Sequence, residues 1–367
     1  MSPSWSPTRI KKAGCEARNI ERMARKSVPD GVVLPGNSHL GGTWSFCMTS
    51  EPKYHHYISQ CYLRRFLPIN QKKPKLTVFD LKEKKCFLSG TTRVGGEYNF
   101  NRIALEGLDP NALEKQLSHF ESKVATALQD ISVRQEFGDD ATFEVLMQFI
   151  ALLAMRNPAM CNSISDFLAR VSNLVGCMIL ATRERYEHAV DRLKADGIPI
   201  DDSVPPYEEM RAFFESGEYT IQTPNETHVA YELRGAEAIL PCLVKRSWSF
   251  ITTSDEAGPF ITCDRPVCLR WKHPEKLPPL DRRSPGFGME DTLVLFPVSS
   301  KLALLGESEE SRRFHTQEKY VANLNSLIIT NARRWIYAPD LSFHFLDSGG
   351  TKRAGIQLLD CLTKPSS

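Results

Sequence analysis

Several things are missing from this chain of 367 residues, and each absence removes a class of function. No apolar run approaches the ~20 residues that a membrane-crossing helix needs; the best, Phe149 to Met155, is interrupted at Arg156. The ten cysteines form no CxxC pair and stand at spacings that suit neither a zinc site nor a disulfide framework, so buried thiols in a reducing, cytoplasmic setting are expected. A formal charge of +2 gives no general pull toward nucleic acid or acidic partners. No Walker motif, GxSxG elbow, HExxH or HNH-like cluster is present. Gly286-Phe287-Gly288 lacks the strand-turn-helix setting of a phosphate loop. Arg183 and His188 match a spacing used by helical ribonucleases, but on a helix these positions do not share a face. Internal repeats are also lacking.

The chain does hold ordinary globular material, at 41% hydrophobic and 25% charged. Residues 1–47 are skewed toward Lys and Arg without a secretory h-region and read as a disordered basic tail. Residues 48–346 read as one domain, and 347–367 as a C-terminal tail. Within the domain, a helix through Gln60 to Phe66 precedes two short runs, Leu76 to Asp80 and Cys86 to Ser89, that read as a hairpin. Residues 110–245 are helical in period: a helix from Pro110, one from Ala141 to Arg156 stopping at Pro158, one from Asn162 to Lys194, a linker, then two more. From Trp248 onward short β-like runs alternate with Gly, Pro and Asp, and a late helix spans Thr316 to Asn331. Helices first and strands later predict an α+β fold, with a helical subdomain (about 110–245) and a mostly antiparallel β-rich C-terminal part.

Three places could carry chemistry. Tyr54 to Phe66 crowds two histidines among tyrosines and arginines, and His56 falls near the face of Gln60 and Leu63; an imidazole there can serve as base, ligand or phosphate contact, or as an ordinary packing residue. In the helix from Phe143 to Arg156, the polar side chains Glu144, Gln148 and Arg156 stand at i, i+4 and i+12 and are expected on one stripe of an apolar rod, as a salt-bridge network or a pocket floor. Asp264 ends a β-run before a Pro-set turn, where a carboxylate can hold a divalent cation, orient a histidine or simply close an Asx-type turn.

The string His55-His56-Tyr57-Ile58-Ser59-Gln60-Cys61-Tyr62-Leu63-Arg64-Arg65-Phe66 resembles the opening motif of bacterial proteins grouped as domain of unknown function forty-two thirty-eight. The resemblance continues in Gln148 and Arg156-Asn157-Pro158, in Ile261-Thr262-Cys263-Asp264-Arg265-Pro266-Val267, in Phe296-Pro297-Val298-Ser299 with Leu302, and in Asn325 and Asn331. It departs at Arg265, where the family has Asn, and at Asn157, where it has Thr. It implies a family domain from about Tyr54 to Ala338 but supplies no reaction. Two functions are therefore expected as alternatives. One is a metal-assisted hydrolase of nucleic acid or another phosphate ester, with His56, Arg156, Asp264 and Glu144 converging and Asp264 holding a divalent cation. The other is a non-catalytic sensor or partner-binding module of a defence or toxin locus. A nucleic acid or phosphate-containing ligand is the expected partner, without a membrane.

Overall fold

The computed structural model describes residues 54–69, 71–102, 112–197, 204–308, 314–315 and 318–363. The basic tail expected at 1–47 lies outside them. The fold is α+β, as expected. It opens with β1 (Tyr54–His56), a short helix α1 (Gln60–Leu63) prolonged by a 3-10 turn to Phe66, a hairpin of β2 (Leu76–Asp80) and β3 (Lys85–Ser89), and β4 (Gly96–Tyr98). The helical stretch follows as α2 (Ala112–Arg134), α3 (Asp140–Met155), α4 (Pro158–Ile179), α5 (Arg183–Ala195), α6 (Tyr207–Ser216) and α7 (Asn225–Val244). Next come β5 (Ser247–Thr252), β6 (Thr262–Cys263), β7 (Cys268–Trp271), β8 (Thr292–Pro297), β9 (Leu302–Glu307) and β10 (Phe314–His315). Helix α8 (Glu318–Asn331), strands β11 (Trp335–Ala338), β12 (His344–Leu346) and β13 (Lys352–Ala354), and helix α9 (Leu358–Thr363) complete it.

Strands β10-β5-β9-β8-β7 make one sheet, antiparallel except for the β10–β5 pair, and β3-β2-β11-β6 make a second. Strand alternation gives each sheet two apolar faces. Leu76, Val78 and Tyr337 of the second sheet, with Val294, Phe296 and Leu304 of the first, join a core shared with α1, α2 and α3. Their neighbours Phe79, Ile336, Leu295 and Ala303 point the other way, into a core closed by Val321, Leu324 and Ile328 of α8. Both sheets therefore lie between the same two cores.

Three expectations are corrected. The helix expected from Asn162 to Lys194 is two helices bent by 116°, because Thr182 caps a fresh start by accepting from the Arg185 N–H. Residues expected as a C-terminal tail are folded on: β13 pairs with β12, and Leu358 is buried. Not all thiols are buried; Cys263 and Cys268 are, whereas Cys86 and Cys177 are exposed. Among the described residues no single helix is long and apolar enough to cross a membrane.

Candidate functional site

The opening motif divides into packing and polar parts. Tyr62, Leu63 and Phe66 are fully buried, and the Tyr62 hydroxyl reaches Thr262 Oγ1 at 2.7 Å and the Pro297 carbonyl at 2.8 Å, tying α1 to the strands. The polar part faces the helices. β1 runs antiparallel to β4 with His56 opposite Gly96, and a Cβ at Gly96 would strike the His55 carbonyl and the Tyr54 ring. Nδ1 of His55 accepts the Asn101 backbone N–H at 2.9 Å, and Asn101 Nδ2 donates to Glu114 at 2.7 Å.

His56 is half-buried, its ring edge-on to Tyr54 at 5.2 Å. The Thr91 carbonyl faces the imidazole while Nε2 is buried without a partner among the described residues. That arrangement favours the Nδ1–H tautomer and leaves Nε2 as a free acceptor. Burial, reinforced by the nearby Arg156 charge, holds the imidazole below its usual pKa, so it is neutral at pH 7.

Arg156 is the C-cap residue of α3 and is 4% exposed. Its Nε has no partner, and its guanidinium forms no ion pair or hydrogen bond with a described residue. Acids surround it instead. Glu121 of α2 accepts from the Ser59 hydroxyl, and burial raises its carboxyl despite the Arg156 charge. Glu232 of α7 is 5% exposed, and burial pushes its carboxyl up to about 7 against the pull of Arg156. The Cys161 thiol of α4 donates to Glu232 at 3.6 Å; burial and that carboxylate push it up to about 12. Gly235, one turn beyond Glu232, has no room for a Cβ beside Met155, so α7 lies close enough to α3 to bring Glu232 to Arg156.

The expected residues fare differently. His56 and Arg156 share one electrostatic neighbourhood. Glu144 does not join it: twelve residues of α3 at about 1.5 Å rise set it roughly 18 Å up the helix, and a spacing of twelve also turns about a third of the way around the rod. It pairs instead with Gln148 at 3.4 Å. Asp264 is buried and accepts the backbone N–H groups of Arg333, Arg334 and Trp335 at 2.8, 2.7 and 3.2 Å. Even so, burial keeps its carboxyl above the usual range. Both its oxygens are thus occupied in holding β11, not offered to a cation. Among the described residues no three His, Cys, Asp or Glu are placed to hold a metal ion.

Two residues of the chamber went unread in the sequence, although each leaves a signal. Glu121 interrupts the α2 stripe of Leu117, Val124 and Leu128, and Glu232 interrupts the α7 stripe of Val229, Ala236 and Leu243. A carboxylate at a core position of an apolar stripe requires a compensating partner.

Fold and site together define an α+β protein with a buried polar chamber behind an N-terminal histidine motif. A family model described as protein of unknown function (DUF4238) matches residues 54–341, and the chain belongs to that family. No curated protein and no solved structure matches it.

Proposed function

We propose that the chain is a hydrolase of phosphate esters that works through acid–base chemistry in the His56–Arg156 chamber. The observation that carries this reading is a neutral histidine with a free, buried Nε2 near an unpaired, buried guanidinium. Nε2 of His56 takes a proton from water, whose oxygen bonds to phosphorus as the ester P–O bond breaks. Arg156 draws the negative charge developing on the phosphoryl oxygens. Glu232, whose burial leaves it half protonated near pH 7, gives a proton to the departing alkoxide.

The depth of the chamber, with Arg156 and Glu232 each about 5% exposed or less, favours as a second reading a module that holds an anion without turning it over. One experiment separates the two. The purified chain is assayed on p-nitrophenyl phosphate, bis-p-nitrophenyl phosphate, RNA and DNA, beside His56→Gln. Turnover that falls by about 10²–10⁴ in His56→Gln supports the hydrolase. Phosphate binding without turnover, lost in Arg156→Met, supports the holding module. Absence of both sinks the site.

A further inference from the structure

The β2–β3 hairpin presents a second surface outside the chamber. Residues 72–93 carry seven cationic side chains against two acids. One of those acids, Asp80, is buried and clasped by Arg334, whose Nε and Nη2 donate to it at 3.1 and 2.8 Å. Lys72, Lys73, Lys75, Lys82, Lys84 and Lys85 are all exposed. Among the described residues only Lys85 of these meets a carboxylate, Glu83 at 3.7 Å. Lysines on an edge strand discourage pairing with another chain, and β3 is an edge strand. That role does not account for Phe87 and Leu88, 42% and 63% exposed on the same strand, since bare apolar groups invite the contact that the lysines oppose.

The register resolves the pattern. Lys85 stands opposite Asp80 and Asp80 opposite Trp335, while Phe87 stands opposite Val78; strand alternation therefore puts Lys85, Phe87 and Trp335 on one face. Phe87 meets Trp335 edge-on at 6.2 Å, and the Arg334 guanidinium, its charge engaged by Asp80, lies over the Trp335 ring at 4.4 Å. Trp335 is thereby held rigid, and Phe87 is braced with its ring half open to solvent. Lysines flank that ring at both ends of a strand roughly 17 Å long.

We propose that this ledge binds single-stranded nucleic acid, with Phe87 stacking on a base and the hairpin lysines meeting the adjacent phosphates. A ring with cations along the strand on both sides suits an unpaired chain, whose bases are free to stack; duplex bases are already stacked on one another. The inference does not depend on the chamber being catalytic, and His56→Gln leaves the ledge untouched, so failed turnover and failed binding are read separately.

The test is fluorescence anisotropy of the full chain with a labelled oligothymidylate, and with its duplex, over rising salt. Single strands are expected to bind more tightly than duplex, with affinity falling as salt rises. Each lost phosphate contact flattens the logarithmic salt slope by about 0.7, so Lys82→Gln/Lys84→Gln/Lys85→Gln should flatten it by about 2. Phe87→Ala should weaken binding at least about fivefold. If that variant melts at a lower temperature than the parent, Phe87→Leu replaces it, removing the flat ring while keeping the bulk. No binding at low salt, duplex bound as tightly as single strand, or full affinity in the Phe87 variant overturns the proposal. The last outcome would leave a charge-only surface for some other polyanion.

Discussion

An arginine that is 4% exposed and lacks a hydrogen bond from Nε is a costly thing to keep in a core. The carboxylates of Glu121 and Glu232 act on it through space, but neither forms a direct ion pair with it. Removing a directly bonded buried partner costs about 3–5 kcal/mol, but here no direct bond is lost and an expensive desolvated charge is relieved. Arg156→Met is therefore expected to be within about 1 kcal/mol of the parent, or more stable, in urea denaturation, while phosphate binding is lost. A loss of several kcal/mol would instead make Arg156 a structural residue. His56 and Arg156 were legible because polar groups in an apolar run demand an explanation. Glu121 and Glu232 carry the same mark, but it emerges only when each helix is read for what breaks its stripe.

At the scale of elements, the local chemistry of junctions was the most legible feature. Arg156-Asn157-Pro158 ends α3 and starts α4: Asn157 accepts the Met160 N–H at 2.9 Å as N-cap, and Pro158 occupies the first turn. The family's Thr at this position caps in the same way, so that departure changes little. The three-residue strands β1 and β4 were not legible, since so short a run has no alternation to detect. Asp264 marks a junction too. It ends β6 and gathers three N–H groups that start β11, so the second sheet's pairing rests partly on one carboxylate. Asn in its place keeps one accepting oxygen and turns an NH2 toward backbone donors. Asp264→Asn is expected to cost about 2–4 kcal/mol in denaturation. A change below about 0.5 kcal/mol would release Asp264 from its holding role and reopen it as a ligand.

Across the whole molecule, the sequence carried the order and type of the long elements but not how its ends meet. β2 pairs with β11, and Arg334 reaches Asp80 across 254 positions, a contact that no local pattern announces. The chamber is non-local in the same way, drawing on β1, α2, α3 and α7, and its cost falls on the stability of the entire fold through proton linkage. Glu232 starts near 4.5 when unfolded and rises to about 7 when folded, chiefly through burial. Between those values the folded chain binds more protons than the unfolded one, so stability declines as pH rises through that window. The contribution is fully present below about pH 4.5 and lost above about pH 7, with an upper size of about 3 kcal/mol. His56 works in the opposite sense, being depressed in the fold and so destabilising as pH falls below its unfolded value. The two overlap, so the parent profile alone does not separate them. Glu232→Gln does, because it holds the neutral form at every pH while leaving His56 in place. Subtracting melting free energies of parent and variant from pH 4 to 8 should give a difference that grows in favour of Glu232→Gln toward pH 7 and then flattens. A flat difference throughout would mean that Glu232 ionises as freely in the fold as in water, and that it holds no proton to give at neutral pH.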